Sequence, residues 1–449
     1  MTVARARLHQ LLAAEAATFA SRHPRSRALH ERAGRSLLDG VPMNWMVKWA
    51  GPFPLFLESA FGAHATCVDG HDYADLCLGD TGAMAGHGPG PTIAAVERQL
   101  RHGITTMLPT EDAAWAGEEL ARRFGLPLWQ FTMTATDANR FSLRLAREIT
   151  GRPLVAVHEW CYHGTVDETF AVLDDDGRVT SRRGNLGPQV DPAVTTRVVP
   201  YNDLEALEAA LADGQVAALL IEPALTNVGI VLPTPGYLQG VREITRRHGT
   251  VLVHDETHTI CAGPSGVTGA LALEPDMLVI GKTIGGGIPA AAYGMTAEVG
   301  DRVRRAVTWE DSDVGGIGGT LAGYALSLAA IRATLGEVLT DAAFAAMIRL
   351  AERWERGVAK AIARHGAPWS VTRLGARAEY HFTPQAPRNG AEQVAHADPE
   401  LERLLHLWAM NRGVLMTPFH NMALMSPATT PDDVDRHSAA FDDALAALF

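Results

Sequence analysis

Residues 251–287 read VLVHDETHTICAGPSGVTGALALEPDMLVIGKTIGGG, and the apolar runs near the two ends of this stretch decide the fold. Positions 251–253 and 277–280 have the length and branched composition of strands buried on both faces. The first runs on to Asp255 and the second to Lys282. Strands buried on both faces belong to parallel sheets, where reactive groups collect at the loops beyond the strands' carboxyl ends. Asp255 and Lys282 are therefore candidates to face one crevice.

The lysine is unusual for this chain. Of 39 basic residues only three are lysine: Lys48, Lys282 and Lys360. Arginine stays protonated and cannot form an imine, whereas a lysine desolvated in a pocket can lose its proton and attack an aldehyde. A lysine beside an apolar strand and the run Gly285-Gly286-Gly287, with an aspartate nearby, suits pyridoxal phosphate, whose pyridine nitrogen is kept protonated by a carboxylate. Two other readings stand beside it. A lysine at a strand end is commonly a solvated terminus, and Gly281-Lys282-Thr283 resembles the end of a nucleotide-binding G-x-x-x-x-G-K-T loop. Asp276 occupies the first glycine position of that motif and disfavours a nucleotide-hydrolysing protein.

The segments HDETHT (254–259), PDMLVIGKTIGGGIP (275–289) and AAYGMT (291–296) together resemble the core of the class III aminotransferases. In character they are most similar to the branch of glutamate-1-semialdehyde aminomutases and β-amino-acid aminotransferases. The resemblance implies fold type I of the pyridoxal-phosphate-dependent transferases. That is an α/β fold with a mostly parallel sheet in a large domain and a smaller α+β domain from the N-terminal segment and the C-terminal part. By the same resemblance Lys282 is the imine-forming residue and Asp255 the partner of the pyridine nitrogen.

Further site residues come partly from pattern and partly from the resemblance. Residues 131–147, FTMTATDANRFSLRLAR, read as a loop entering a helix whose apolar face carries Ala138, Phe141 and Leu145. Free amides and the positive end of a helix dipole bind anions, although Thr134-Ala135-Thr136-Asp137 taken alone is also an ordinary helix cap. The family's S-G-T-E-A at this place puts Thr134, Ala135 and Thr136 on the phosphate-binding positions, with alanine here replacing glycine. The resemblance likewise assigns Tyr162, in Tyr162-His163-Gly164, to the face of the cofactor ring. His163, Glu222 (which opens an E-P-x-x-x-N-x-G run) and Thr257 count among the cofactor contacts. In GGIGGTLAGYAL (315–326), Thr320 falls on the residue that reaches the cofactor phosphate of the neighbouring subunit, which implies a homodimer. Candidates for substrate contact are Trp45 and Lys48 on an aromatic loop, His258, Arg377 and His420. The loop lacks the arginine with which such enzymes grip a substrate carboxylate, since none lies between Arg35 and Arg98.

Composition bounds the rest. A 449-residue chain with 47% hydrophobic residues can bury a large core. By the resemblance, 1–65 is an N-terminal helical segment with an active-site loop, 66–335 the large cofactor-binding domain and 336–449 a small C-terminal domain. Net charge is −12 with no basic stripe, which argues against a nucleic-acid partner. No apolar run is long enough to span a membrane, and Glu15 interrupts the apolar stretch behind Arg5 and Arg7, so the start reads as an amphipathic helix. Four cysteines, Cys67, Cys77, Cys161 and Cys261, form no C-x-x-C pair and no zinc-like pattern, which fits a reducing cytoplasm and no metal. The expected function is transfer of an amino group from an amine or amino acid to a keto acid or other carbonyl acceptor, with ping-pong kinetics. An aminomutase or a racemase would need the same lysine and aspartate and stands as the alternative.

Overall fold

In the computed structural model, which describes residues 3–308, 310 and 315–449, the two apolar runs become the neighbouring parallel strands Val251–Asp255 and Met277–Ile280. They sit inside a seven-stranded sheet. Its order is Leu128–Thr132, Ala291–Met295, Met277–Ile280, Val251–Asp255, Val216–Ile221, Leu154–His158 and Thr196–Val199. Every pairing is parallel except the two made by Ala291–Met295. Every residue of the five strands from Ala291–Met295 to Leu154–His158 is buried, which is why these segments lack polar alternation. Each buried Leu, Ile or Val contributes about 1.5–3 kcal/mol relative to exposure. The parallel arrangement brings the ends of Leu154–His158, Val216–Ile221, Val251–Asp255 and Met277–Ile280 to one edge, and with them His158, Glu222, Asp255 and Lys282.

Helices pack on this sheet with sequence-encoded ends. Thr134 caps Ala135–Thr150 by accepting from the Asp137 amide, and Gly151 stops it in the left-handed region at φ 68°. Tyr237–His248 ends on Arg246, Arg247 and His248, cations that suit the negative end of the helix dipole. The buried face of Ala135–Thr150 differs from the periodic reading: Ala138 and Leu145 are buried with Asn139, Ser142, Leu143 and Ala146, while Phe141 is half-buried. The stripe thus includes polar groups that the apolar period skips. The helix Ala325–Ala333 passes into a wider π turn, Thr334–Val338. Arg123 Nη2 donates there to the carbonyls of Leu335 and Leu339, at 2.7 and 3.0 Å.

The chain forms two compact units, residues 90–341 with 387–395, and residues 1–89 with 342–386 and 396–449. The first carries the large sheet. In the second, the helices Arg5–Arg22 and Pro24–Ala33 precede strands His64–Cys67 and Asp72–Asp75, paired antiparallel across the Asp69-Gly70 turn. Asp69 also accepts from the amides of Arg25 and Ser26, satisfying donors at the start of Pro24–Ala33. His87 Nε2 is hydrogen-bonded to Asp75 Oδ2 at 2.7 Å. An antiparallel sheet of Ser370–Leu374, Arg377–His381 and Met422–Leu424 and the helices Pro399–Asn411 and Pro431–Leu448 complete this α+β unit. The last helix carries a full capping box between Thr430 and Asp433. Among the described residues no helix is long and apolar enough to cross a membrane.

Candidate active site

Asp255 closes its strand with the side chain buried, 3% exposed for the whole residue. A lone carboxylate there would take up a proton. It is instead held by three donors. Asn139 Nδ2 and His163 Nδ1 reach Oδ2 at 2.8 and 2.9 Å, and the Thr257 amide reaches Oδ1 at 3.0 Å. Burial pushes the Asp255 pKa up, but the hydrogen bond and positive charge of His163 outweigh it, so the carboxyl stays below its usual range. His163 is raised well above the ordinary histidine value. Burial opposes its charge, but neighbouring Cys161 and the Asp255 carboxylate more than offset it. The result is a dry, ionised carboxylate aimed by an imidazolium and an amide.

Lys282 follows the adjacent strand, half-buried, with φ at +51°. A non-glycine residue in the left-handed region costs roughly 1 kcal/mol or more and is concentrated at functional sites. The preceding Gly281 allows a close approach: a Cβ there would lie 3.0 Å from the Ala135 Cβ and 3.4 Å from the Ala135 nitrogen. The start of Ala135–Thr150 is thereby packed directly against the Lys282 turn. Nζ of Lys282 lies 2.7 Å from Nε2 of His258.

At that helix start, the first intrahelical bond runs from the Ala138 amide to the Thr134 carbonyl, so the Ala135 and Thr136 amides precede it. Ala135 has an ordinary negative φ, so the family's glycine is not needed for backbone reasons. Thr136 Oγ1 accepts from the Thr165 amide at 3.1 Å, and Gly164 (φ +76°) is forced by the same contact, since a Cβ would lie 2.0 Å from Thr136 Oγ1. Tyr162 is 38% exposed, meets Phe170 edge-on, and its amide donates to Glu222 Oε1 at 3.3 Å. Burial pushes the Glu222 pKa up. Thr257 Oγ1 is buried beside Asp255.

Thus the sheet-bearing unit brings together Thr134, Ala135, Thr136, Tyr162, His163, Glu222, Asp255, Thr257, His258 and Lys282. Thr320 belongs to the same unit and is exposed. Trp45, Lys48, Arg377 and His420 belong to the other unit. Trp45 packs edge-on against Phe419 with centroids 6.4 Å apart, and Lys48 Nζ lies 5.5 Å from the same ring. Arg377, a candidate substrate contact by sequence, is fully buried with Nη1 3.6 Å from Asp80 Oδ1. His420, likewise a candidate, is also buried, 3.7 Å from Glu379. Pattern reading missed Asn139 altogether. Its only sequence signal is a polar residue adjoining the apolar stripe one turn after the capped helix start.

The donor set fits pyridoxal phosphate on this geometry alone. A lysine amine held in a strained backbone, a buried ionised carboxylate and amides at a helix start match an aldehyde, a pyridine nitrogen and a phosphate. Among the described residues no cluster of His, Cys, Asp and Glu could hold a metal ion.

Comparison with known proteins agrees with this fit. The family model described as "Aminotransferase class-III" matches residues 45–445. A glutamate-1-semialdehyde 2,1-aminomutase of Sorangium cellulosum is 33% identical over 438 residues, covering 95% of this chain and 98% of the relative. A solved glutamate-1-semialdehyde-aminomutase of Pseudomonas aeruginosa PAO1 is similar at 48% identity over 100% of both chains, with a TM-score of 0.98. A lysine-to-alanine variant of that protein, solved in complex with PMP, superposes equally well. An omega-transaminase of Sphaerobacter thermophilus is 28% identical, covers 94% of this chain and 97% of its own, and has a TM-score of 0.84.

Proposed function

The chain belongs to the class III aminotransferases, pyridoxal-phosphate-dependent enzymes of fold type I, and from that premise we propose that it is an aminomutase. It would move an amino group between two carbons of one substrate, glutamate-1-semialdehyde. The observation that carries this reading is the 48% identity, over the whole of both chains, to a protein described as that aminomutase. It ranks the aminomutase, the alternative at the level of sequence, above transfer between two substrates.

When bound, pyridoxal phosphate supplies an electron sink for a carbanion at the amine-bearing carbon. Asp255, ionised and dry, would hold the proton on the pyridine nitrogen, and Asn139 and His163 keep its carboxylate aimed. The Ala135 and Thr136 amides and the Thr134 cap would receive the phosphate. Tyr162, Glu222 and Thr257 would line the ring. Exchanging an aldehyde at carbon 1 with an amine at carbon 2 requires one proton to leave carbon 2 and one to arrive at carbon 1. A single lysine amine, Lys282 Nζ, can serve both steps as base and then acid. His258, beside Lys282, is the proposed substrate contact of the sheet-bearing unit.

Incubating the holoenzyme with glutamate-1-semialdehyde, with no added amine or keto acid, tests the assignment. The expected product is the isomer with the amine on carbon 1, formed in step with substrate loss. Consumption that requires an added carbonyl acceptor would instead favour transfer between two substrates, the reading supported by the likeness to the omega-transaminase.

The same reading makes the protein a homodimer in which exposed Thr320 contacts the cofactor phosphate of the neighbouring subunit. Light scattering should give twice the chain mass, and Thr320→Ala should raise the dissociation constant for pyridoxal phosphate about tenfold, the worth of one hydrogen bond to a charged group. A monomeric holoenzyme would remove the shared site.

A further inference from the structure

We propose that Thr92 and Thr334 form a clamp that holds the backbone of Lys282, an inference that rests on reading Lys282 as the cofactor-bearing lysine. A non-glycine residue in the left-handed region persists where its surroundings over-determine it. At Lys282, φ +51°, two close approaches do this, one at each end of the single turn Lys282–Gly285. In front, Gly281 packs on Ala135 and Ala291, whose Cβ atoms would lie 3.0 and 3.1 Å from a Cβ added there. Behind, Gly286 is left-handed too, at φ +57°, and its amide donates to the Thr283 carbonyl at 2.9 Å. A Cβ on Gly286 would lie 2.5 Å from Thr334 Oγ1 and 3.0 Å from both Oγ1 and Cγ2 of Thr92. The two threonines, both buried, therefore stand directly against the end of the turn. They are bonded to each other, Oγ1 to Oγ1, at 2.8 Å.

The helix that carries Thr334 is distorted at this residue. The Leu339 amide reaches back five residues to the Thr334 carbonyl at 2.8 Å, the bond of a π turn. Arg123 fixes the widening, since its Nη2 bonds the Leu335 and Leu339 carbonyls while its Nε is held by Glu119 at 2.7 Å. Thr92 comes from the first turn of a different helix, Gly90–Leu100. Because the two hydroxyls bond each other in a dry interior, turning either side chain away would break that bond with no water to replace it. The pair thus stays in place and confines Gly286, and with it the turn that begins at Lys282. Thr92 and Thr334 are positioning residues that act on Lys282 through Gly286.

Apo protein carrying Thr334→Ala or Thr92→Ala tests the clamp, with Thr334→Ser as the conservative variant that keeps the hydroxyl. Hydrogen exchange is read by mass spectrometry on peptides covering 282–288 and, as a reference, the buried strand Val216–Ile221. Exchange over 282–288 should rise about tenfold in both alanine variants, the effect of losing one buried hydrogen bond. It should stay near wild type in Thr334→Ser, and the reference strand should not change. Each apo protein is then mixed with pyridoxal phosphate, where Nζ adds to the aldehyde, a C=N bond forms and water leaves. That step should slow about tenfold in the alanine variants. Pyridoxamine phosphate, which has no aldehyde to condense, should bind them as tightly as it binds wild type. Faster exchange in the reference strand as well marks a contact of the whole fold, and unchanged condensation marks a pair that positions nothing; either result overturns the proposal. Borohydride reduction of the wild-type holoenzyme separates this failure from that of the cofactor assignment. A pyridoxyl mass on Lys282 with unmoved variants removes only the clamp, whereas a mass on another lysine, or on none, overturns both.

Discussion

Lys282→Ala is expected to lower turnover by at least about 10³-fold, because it removes both the nucleophile that holds the cofactor and the base that moves the substrate proton. Lys282→Arg should be equally inactive: the charge survives, but a guanidinium neither condenses with an aldehyde nor gives up its proton near neutral pH. Neither change should unfold the protein. The residue is half-buried, and alanine in the same left-handed backbone costs about what lysine already does. Thermal melts within a few degrees of wild type would separate lost chemistry from lost structure. Small primary amines diffusing into the alanine variant should restore part of the activity, whereas they should not help the arginine variant, whose side chain fills the space. Turnover near wild type in either variant would remove Lys282 from its role.

Asp255→Asn is the second large effect, expected at about 10²–10⁴-fold in turnover. Asparagine keeps the shape and can still accept from the Thr257 amide, but its neutral side chain cannot hold a proton on the pyridine nitrogen. Cofactor binding should persist through Lys282 and the helix start, so the loss should fall on turnover more than on occupancy. An unimpaired rate would end the proposed role.

The same substitution has a signature in pH. His163 is raised well above its ordinary value, so its contribution to stability is fully present below the unfolded pKa and is lost as pH rises through the folded one. Asp255 is depressed, so its contribution is present above the unfolded carboxyl pKa and is lost as pH falls through the folded one. The pair therefore stabilises the fold between these limits, a window that includes neutral pH. In Asp255→Asn burial has less to oppose it at His163, and the imidazole should titrate at lower pH. Nitrogen-15 spectra of the ring would show this, and a His163 titration identical to wild type would contradict the pairing.

How much of the site was legible differs from residue to residue. Asp255 and Lys282 could be read because each ends an apolar run short enough to be one strand, and because lysine is rare in this chain. The helix start at Thr134 could be read because a cap is written in consecutive residues. Asn139 could not, because the polar group belongs to a helix whose period accounts for its neighbours, and its partner Asp255 lies 116 positions away. His258 was visible as a histidine, but its contact with Lys282 was not, since the two sit on loops after different strands. Arg377 and His420 could be named as candidate contacts, but charge in an isolated strand or loop gives no measure of burial, and both prove buried within their unit.

What the chain's order of residues determined by itself is therefore the covalent chemistry and the local elements: a lysine able to form an imine, an aspartate to partner it, buried strands and a capped helix. Those follow from side-chain type and from periods of 2 and 3.6 residues, which are local. Tertiary structure decided the state of those groups. The order of strands in the sheet set Asn139 and His163 around Asp255 and His258 against Lys282. Ionisation in a dry interior depends on donors within about 3 Å in space, and no local pattern reports which distant segments will supply them.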